Sequence, residues 1–274
     1  MTSSTTLVRR PFEGLIAEHD LVAMRQLIPS ATLDAKIAPE FGGGDAVIAT
    51  ILPMNWAAIK RDNGTVMLGM QASVPGNDTS RGLGAALKQA LDSEPGTAVT
   101  TVKVADDSPR LQDLLVVDEN YTVEVHDSFE YWLGAGAERT EQIEQGLEKA
   151  NEAIMPTAAV GGLPHAYWVD AGPKEHLRWV LDESEDRVID AVARLHAKRQ
   201  SGIGEGTRYV GSFRADGLTI PVWDLPKGFG VEGVENEVPE FLKRFEEALS
   251  SEEPLTALER RARGGIVARE VTLR

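Results

Sequence analysis

Apolar residues recur along this chain with two periods, and the helical period of about 3.6 is clearest at 182–198. There Val188, Ile189, Val192 and Leu195 form one stripe, while Asp186, Asp190, Arg194 and Lys198 fall on the opposite face. Asp182 and Glu185 have the spacing of a capping box at the start of this helix. An apolar run precedes it at 177–181, and two more follow at 208–213 and 218–223, closed by Asp224, Leu225 and Pro226. The stretch 177–224 therefore predicts strand, helix, strand, strand, and the rest of the chain is read around it.

Upstream, Asp20 caps a short helix carrying Leu21, Met24, Leu27 and Ile28, which Pro29 ends. Strands are predicted at 31–37, 46–52 and 65–71, with Asn63 and Gly64 turning the chain between 56–60 and the last of them. Asp78 or Ser80 caps a helix with Leu83, Leu87, Ala90 and Leu91 on one side, and a β-branched strand follows at 97–104. A short helix and an extended piece fit 111–117, whereas the aromatic stretch 121–132 takes no clear period. Ile143, Leu147, Ala150 and Ile154 give 138–154 a helical face that Pro156 breaks. Gly172 and Pro173 turn 165–169 onto 175–181 as a hairpin. Helices at 239–249 and 254–263 and a terminal strand complete the chain.

The fold class is α+β, with mixed β-sheets and amphipathic helices. The segments 67–72, 80–91 and 98–104 repeat the order of 177–181, 184–196 and 208–213, which suggests a duplicated α/β unit. The expected organisation is a flexible amino-terminal segment at 1–10, a first α/β half at 11–133 and a second at 134–274. The terminal strand is expected to complete a sheet.

Composition narrows the function classes. Across 274 residues, 42% hydrophobic and 26% charged, the chain has ample apolar surface for a core. Its 43 acidic against 28 basic residues, a formal charge of −15, argue against general nucleic-acid binding, which needs concentrated Lys and Arg. With no cysteine, it has no disulfide, thiolate nucleophile or cysteine-held metal. No run has the pattern of a secretory signal or the length of a membrane span, so a cytoplasmic location without membrane insertion is expected.

Nucleotide motifs do not survive inspection of their context. The glycines at 202–206 follow a helix and precede a strand, the reverse of a phosphate-binding order, and no Lys-Ser or Lys-Thr pair follows the triple glycine before Asp45. The candidate site is 213–229. Trp223 would form an apolar wall, Arg214 an anion clamp, and Asp224 would orient Arg214 or Lys227 among turns made by Gly217, Pro221, Pro226, Gly228 and Gly230. A hydrolase would instead need Asp216 and Asp224, or Asp106 and Asp107, to converge on one metal or reacting group. The hairpin aromatics Tyr167, Trp168 and Trp179 offer a second face, but His165 and His176 lack a ligand pattern, so neither metal nor cofactor is expected. Arg260, Arg261 and Arg263, with Arg269 and Arg274 further on, form a secondary basic patch, for which acids of helix 239–249 are the structural partners.

The segments RPFEGL, ILPMNW, LRWVLDESEDRVIDAVARLHA and FRADGLTIPVWDLP carry a resemblance. The chain is similar to an actinobacterial family of unknown function over nearly its whole length, from Arg10 and Pro11 to the terminal strand. Members are sometimes labelled preprotein translocase-related, a label that reflects a short metal-binding tail of cysteine and histidine. This chain has neither the cysteines nor the tail, so the label does not transfer. The resemblance supplies no activity and no catalytic residue. The expectation is a protein-interaction or regulatory module with a protein partner; the alternatives are a small-molecule-binding protein or an acidic-residue-dependent hydrolase.

Overall fold

The computed structural model describes residues 6–134, 136 and 138–272, the last four by backbone alone. It is an α+β structure of two compact units, Met1–Ile154 and Met155–Arg274.

The first unit is built on β1 (Ala31–Ile37), whose alternation turns Ala31, Leu33, Ala35 and Ile37 inward and Asp34 and Lys36 outward. It pairs antiparallel with β2 (Asp45–Ala49). Next come β3 (Ala58–Lys60) and β4 (Val66–Gly69), and β4 returns through the Asn63-Gly64 turn to lie between β2 and β3, parallel to β2. β5 (Ala98–Val99) adds beyond β3, giving the order β5-β3-β4-β2-β1. The outer side of β1 is shared by β6 (Leu115–Val116) and β7 (Val123–Val125). Helix α1 (Glu18–Gln26) buries Leu21, Val22, Ala23 and Met24, and α2 (Thr79–Leu91) packs on β3, β4 and β5. Asp78 caps α2 by accepting from Arg81 N. A single turn, α3 (Leu111–Leu114), precedes β6.

The predicted boundary at 133 moves. Helix α4 (Glu141–Asn151) groups with the first unit, because Asn151 Oδ1 accepts from Phe129 N at 2.9 Å and Arg139 bridges Glu130 and Glu144. Of the segment expected to be flexible, residues 1–5 lie outside the described residues. Its described part is tied down by Val8 N donating to Asn77 O and by Arg10 pairing with Glu18.

The second unit is a five-stranded antiparallel sheet in the order β11-β12-β10-β9-β8. Its strands are β8 (Thr157–Ala159), β9 (Ala166–Asp170), β10 (Glu175–Trp179), β11 (Arg208–Ala215) and β12 (Leu218–Leu225). Helix α5 (Glu185–Ala197) follows β10, and α6 (Gly230–Leu249) and α7 (Ala257–Thr272) close the chain. One face of the sheet and these helices share a core of Leu177, Trp179, Val188, Val192, Trp223, Val234, Phe241 and Phe245. α5 is capped by Ser184, which accepts from Arg187 N, and not by the predicted Asp182 and Glu185 box.

The terminal strand is corrected to a helix. Thr256 and Glu259 form a reciprocal capping box, and α7 runs on through Gly264 and Gly265 because Ile266, 2% exposed, docks into the same core with Ala262 and Val267. Burial outweighs the β-propensity of Ile266 and Val267 here. The 97–104 strand shrinks to two residues.

Duplication gains no support. In both units the strands before and after a helix flank a third, antiparallel strand: β4-β3-β5 around α2, and β10-β12-β11 around α5. The central strand precedes that helix in the first unit and follows it in the second, and only the first sheet contains a parallel pair.

Two helical glycines in the first unit test how tightly it is packed. A Cβ on Gly84 would lie 2.2 Å from Pro109 O, whereas one on Gly146 of α4 would meet nothing within 4 Å. Gly146→Ala should therefore stabilise the protein by up to about 1 kcal/mol through helix propensity. Gly84→Ala should destabilise it by about 2 kcal/mol despite the same gain, since backbone must move. Urea denaturation of both variants measures the contrast.

Candidate functional site

Trp223 is core and not a groove wall. It is fully buried between Tyr209, Phe241 and Phe245, with ring centroids at 5.4, 5.3 and 6.4 Å, and its indole N–H donates to Ser201 O at 2.8 Å. The other predicted residues separate along the β11–β12 hairpin. Asp216 and Gly217 make its two-residue turn with φ of 46° and 92°. Arg214 is exposed and pairs across to Thr219, whereas Asp224 pairs with Arg208. Five residues of strand, about 17 Å, part Thr219 from Asp224, and the odd spacing puts them on opposite faces. Arg214 and Asp216 therefore do not meet Asp224, and the convergence that a two-carboxylate hydrolase needs is missing from this hairpin.

Asp224 has acquired other partners. Its Oδ2 accepts from Lys174 Nζ at 2.5 Å and from Arg208 Nη2 at 3.4 Å, and its Oδ1 lies 3.1 Å from His176 Nδ1. Strand register makes this cluster, since β10 brings His176 opposite Asp224 and β11 brings Arg208 opposite it from the other side. Lys227 does not join Asp224; it holds Asp170 at 2.5 and 2.6 Å. Buried Glu175 accepts from Gly228 N, Gly230 N and Trp168 Nε1 at 2.6, 2.7 and 2.9 Å, fixing the loop that carries Lys227. Lys174 and Arg208 thus gather on Asp224, while Lys227 pairs with Asp170, which registers opposite Glu175 and so lies on the other face of the sheet.

Burial works to raise the Asp224 carboxyl, but the hydrogen bond and charge of Lys174, with His176 and Arg208, override it and hold the group below the ordinary carboxylate range. Burial likewise opposes ionised Glu175, and its amide and indole donors win. For His176, burial dominates and holds the imidazole below its ordinary pKa, against the attraction of Asp224.

The family comparison matches residues 11–274 to a family of unknown function. The chain belongs to that family, DUF5926. No curated protein and no solved structure matches it. The likeness spans both units of this DUF5926 chain, including every residue of the Asp224 cluster.

The remaining candidates of the DUF5926 chain divide. In the secondary patch Arg263 is spent on Asp190 and Asp186 of α5, each at 2.6 Å, and not on acids of α6 as expected. Arg260 donates to Leu255 O, and Arg261 is exposed. Arg274 and the side chain of Arg269 lie outside the described residues. A groove of about 730 Å³ runs between the 199–207 loop and α6, with Glu205, Glu237, Glu240 and Glu247 against Arg199, Lys243 and Arg244. Arg244 is committed to the loop, donating to Gly202 O and Ile203 O at 2.7 and 2.8 Å. Among the described residues no group of three or more His, Asp or Glu side chains is arranged to hold a metal ion, and no helix is long and apolar enough to cross a membrane.

His176 gives the cluster a pH signature. Its folded pKa is depressed below the unfolded value near 6.5, so its neutral form stabilises the fold above that pH and the contribution is lost as pH falls through 6.5 toward the folded value. Unfolding free energies of wild type and His176→Gln, measured from pH 7.5 to pH 5, should show a shallower loss in the variant. Parallel curves would mean that His176 is not desolvated in solution.

Proposed function

We propose that the chain is a cytoplasmic protein-interaction module whose Asp224 cluster receives an acidic segment of a partner protein. One observation carries this reading: Asp224, 14% exposed, is shared by Lys174, Arg208 and His176, while the Lys174 and Arg208 side chains remain 55% and 65% exposed. The shared carboxylate orients the cations without consuming them. A guanidinium has five N–H donors in a rigid fork, so pairing with Asp224 leaves Arg208 capacity for a second carboxylate. The site offers orientation and charge, which favours recognition over acid–base chemistry.

The formal charge of −15 gives the interaction an unusual salt dependence. At about 0.01 M salt the Debye length of roughly 30 Å lets the whole chain repel an acidic ligand, and near 0.15 M it falls to about 8 Å, leaving the local cations in control. The affinity of a labelled glutamate-rich peptide, followed by fluorescence anisotropy, should rise from low to intermediate salt and fall again at higher salt. Combined Lys174→Ala and Arg208→Ala substitutions should weaken it at least about tenfold at intermediate salt while the chain stays folded, with a modest loss of stability because Asp224, 14% exposed, keeps only His176 beside it. Unchanged peptide affinity in the double variant refutes the assignment.

A further inference from the structure

β8 is the outermost strand of the second sheet, and its free side is open. Val160 N donates to Ala166 O and Asp170 N to Pro156 O, both at 2.9 Å, and this sets the alternation of an antiparallel ladder. Pro156, Ala158 and Val160 therefore direct their backbone polar groups at β9, and Thr157 and Ala159 direct theirs away from the sheet. Among the described residues, no group pairs with the N–H or C=O of Thr157 or Ala159. The next outward N–H, that of Gly161, is closed by Glu235 Oε1 at 2.8 Å. The open edge is thus confined to 157–159.

Exposed edges invite pairing, and proteins blunt them with charges, bulges or proline. β11, at the opposite edge, carries Arg208, Arg214 and a bulge between Tyr209 and Gly211. β8 has no such charge, since residues 153–164 contain no ionisable side chain in a chain that is 26% charged. Pro156 offers no protection, because its nitrogen faces β9 and not the open side. The side chains along the edge are small, and Met155 just before it is 41% exposed.

We infer that two copies of this chain pair through β8, continuing each five-stranded sheet into the other. The edge is self-complementary. An antiparallel register that sets Ala158 opposite Ala158 of the second copy sets Thr157 opposite Ala159 of that copy, and Ala159 opposite its Thr157. These become the hydrogen-bonded pairs, and their N–H···O bonds satisfy the open groups of both edges. The two Ala158 methyls meet at the closer, non-hydrogen-bonded position, where Cα atoms approach to about 4.5 Å and small side chains fit. Just beyond the ladder, Met155 falls opposite Gly161, which has no side chain to obstruct it. A strand of another protein can make the same bonds, but the match of methyl to methyl and methionine to glycine lies within this chain's own sequence, as a two-fold interface requires. The two-fold axis runs perpendicular to the sheet, so both Asp224 clusters come to one face, seven strand spacings or roughly 34 Å apart. The pairing does not depend on what those clusters bind.

Because the chain has no cysteine, Ala158→Cys tests the register directly. Disulfides form between Cα atoms about 4.4 to 6.8 Å apart, so mild oxidation of the full chain should give a covalent dimer. Leu258→Cys, at an exposed position of α7, should give far less. Sedimentation equilibrium of wild type from about 1 µM to 1 mM should show monomer and dimer alone. Ala159→Pro should weaken the dimer at least about tenfold and stay folded, because the lost N–H faces the open side, whereas Ala159→Val keeps that N–H and should still dimerise. The ladder holds no ion pair and each copy carries −15, so the dimer should tighten as the Debye length falls from roughly 30 Å to about 8 Å with added salt. If Ala159→Pro unfolds, the cross-link decides. A monomer over the whole range, growth beyond the dimer, equal cross-linking at 158 and 258, loss of the dimer in Ala159→Val, an unchanged dimer in folded Ala159→Pro, or weakening by salt would each overturn the inference.

Discussion

Trp223 fills the space between the second sheet and α6, and because β12 is a regular strand at this point its neighbours have no freedom of face. With Trp223 and Leu225 turned into the helix-covered core, Asp224 must point to the other side. The same alternation on β10 turns Leu177 and Trp179 inward and leaves His176 on the face of Asp224. The ion-paired cluster is therefore a consequence of core packing read out across two strand registers. Slipping either strand by one residue would bury the charges and expose the tryptophan together.

Glu175 belongs to the inward set, and its place among buried apolar residues is sustained by donors: two glycine amides and the Trp168 indole. Those bonds determine where the chain turns into α6, and hence where Lys227 meets Asp170. One buried carboxylate thus couples a hairpin, a helix start and a surface ion pair. The first unit has a comparable device with different chemistry. There Tyr131 and Trp132 direct their polar tips at Ile51 O, and this fixes the loop that exposes Met54.

Where helical or strand period was strong, the sequence reading and the structure agree: Ala31–Ile37, Asp78 capping α2, the stripe of α5, and the β9–β10 hairpin. α6 begins at Gly230 and not at the expected 239, because burial of Val234, Val238, Phe241 and Phe245 carries the helix through Gly233 and Pro239. α7 had a visible signal in Thr256 and Glu259 that the β-branched end of the chain obscured. At the candidate site Asp224 and Lys227 were legible as polar residues near turns. Their partners Lys174, His176, Arg208 and Asp170 were not, since cross-strand register brings them together from as far as 57 positions away in sequence. Trp223 was misread because both faces of LTIPVW are apolar, so alternation alone cannot say which one meets the helices.

The position of the Asp224 cluster on a strongly acidic chain sets the range over which its cations act. Exposed cations around a shared carboxylate act chiefly on encounter, and in a chain this acidic their reach is limited to the screening length. Orientation by a shared, mostly buried carboxylate costs such cations little of their donor capacity, since Lys174 and Arg208 stay 55% and 65% exposed while Asp224 is 14% exposed.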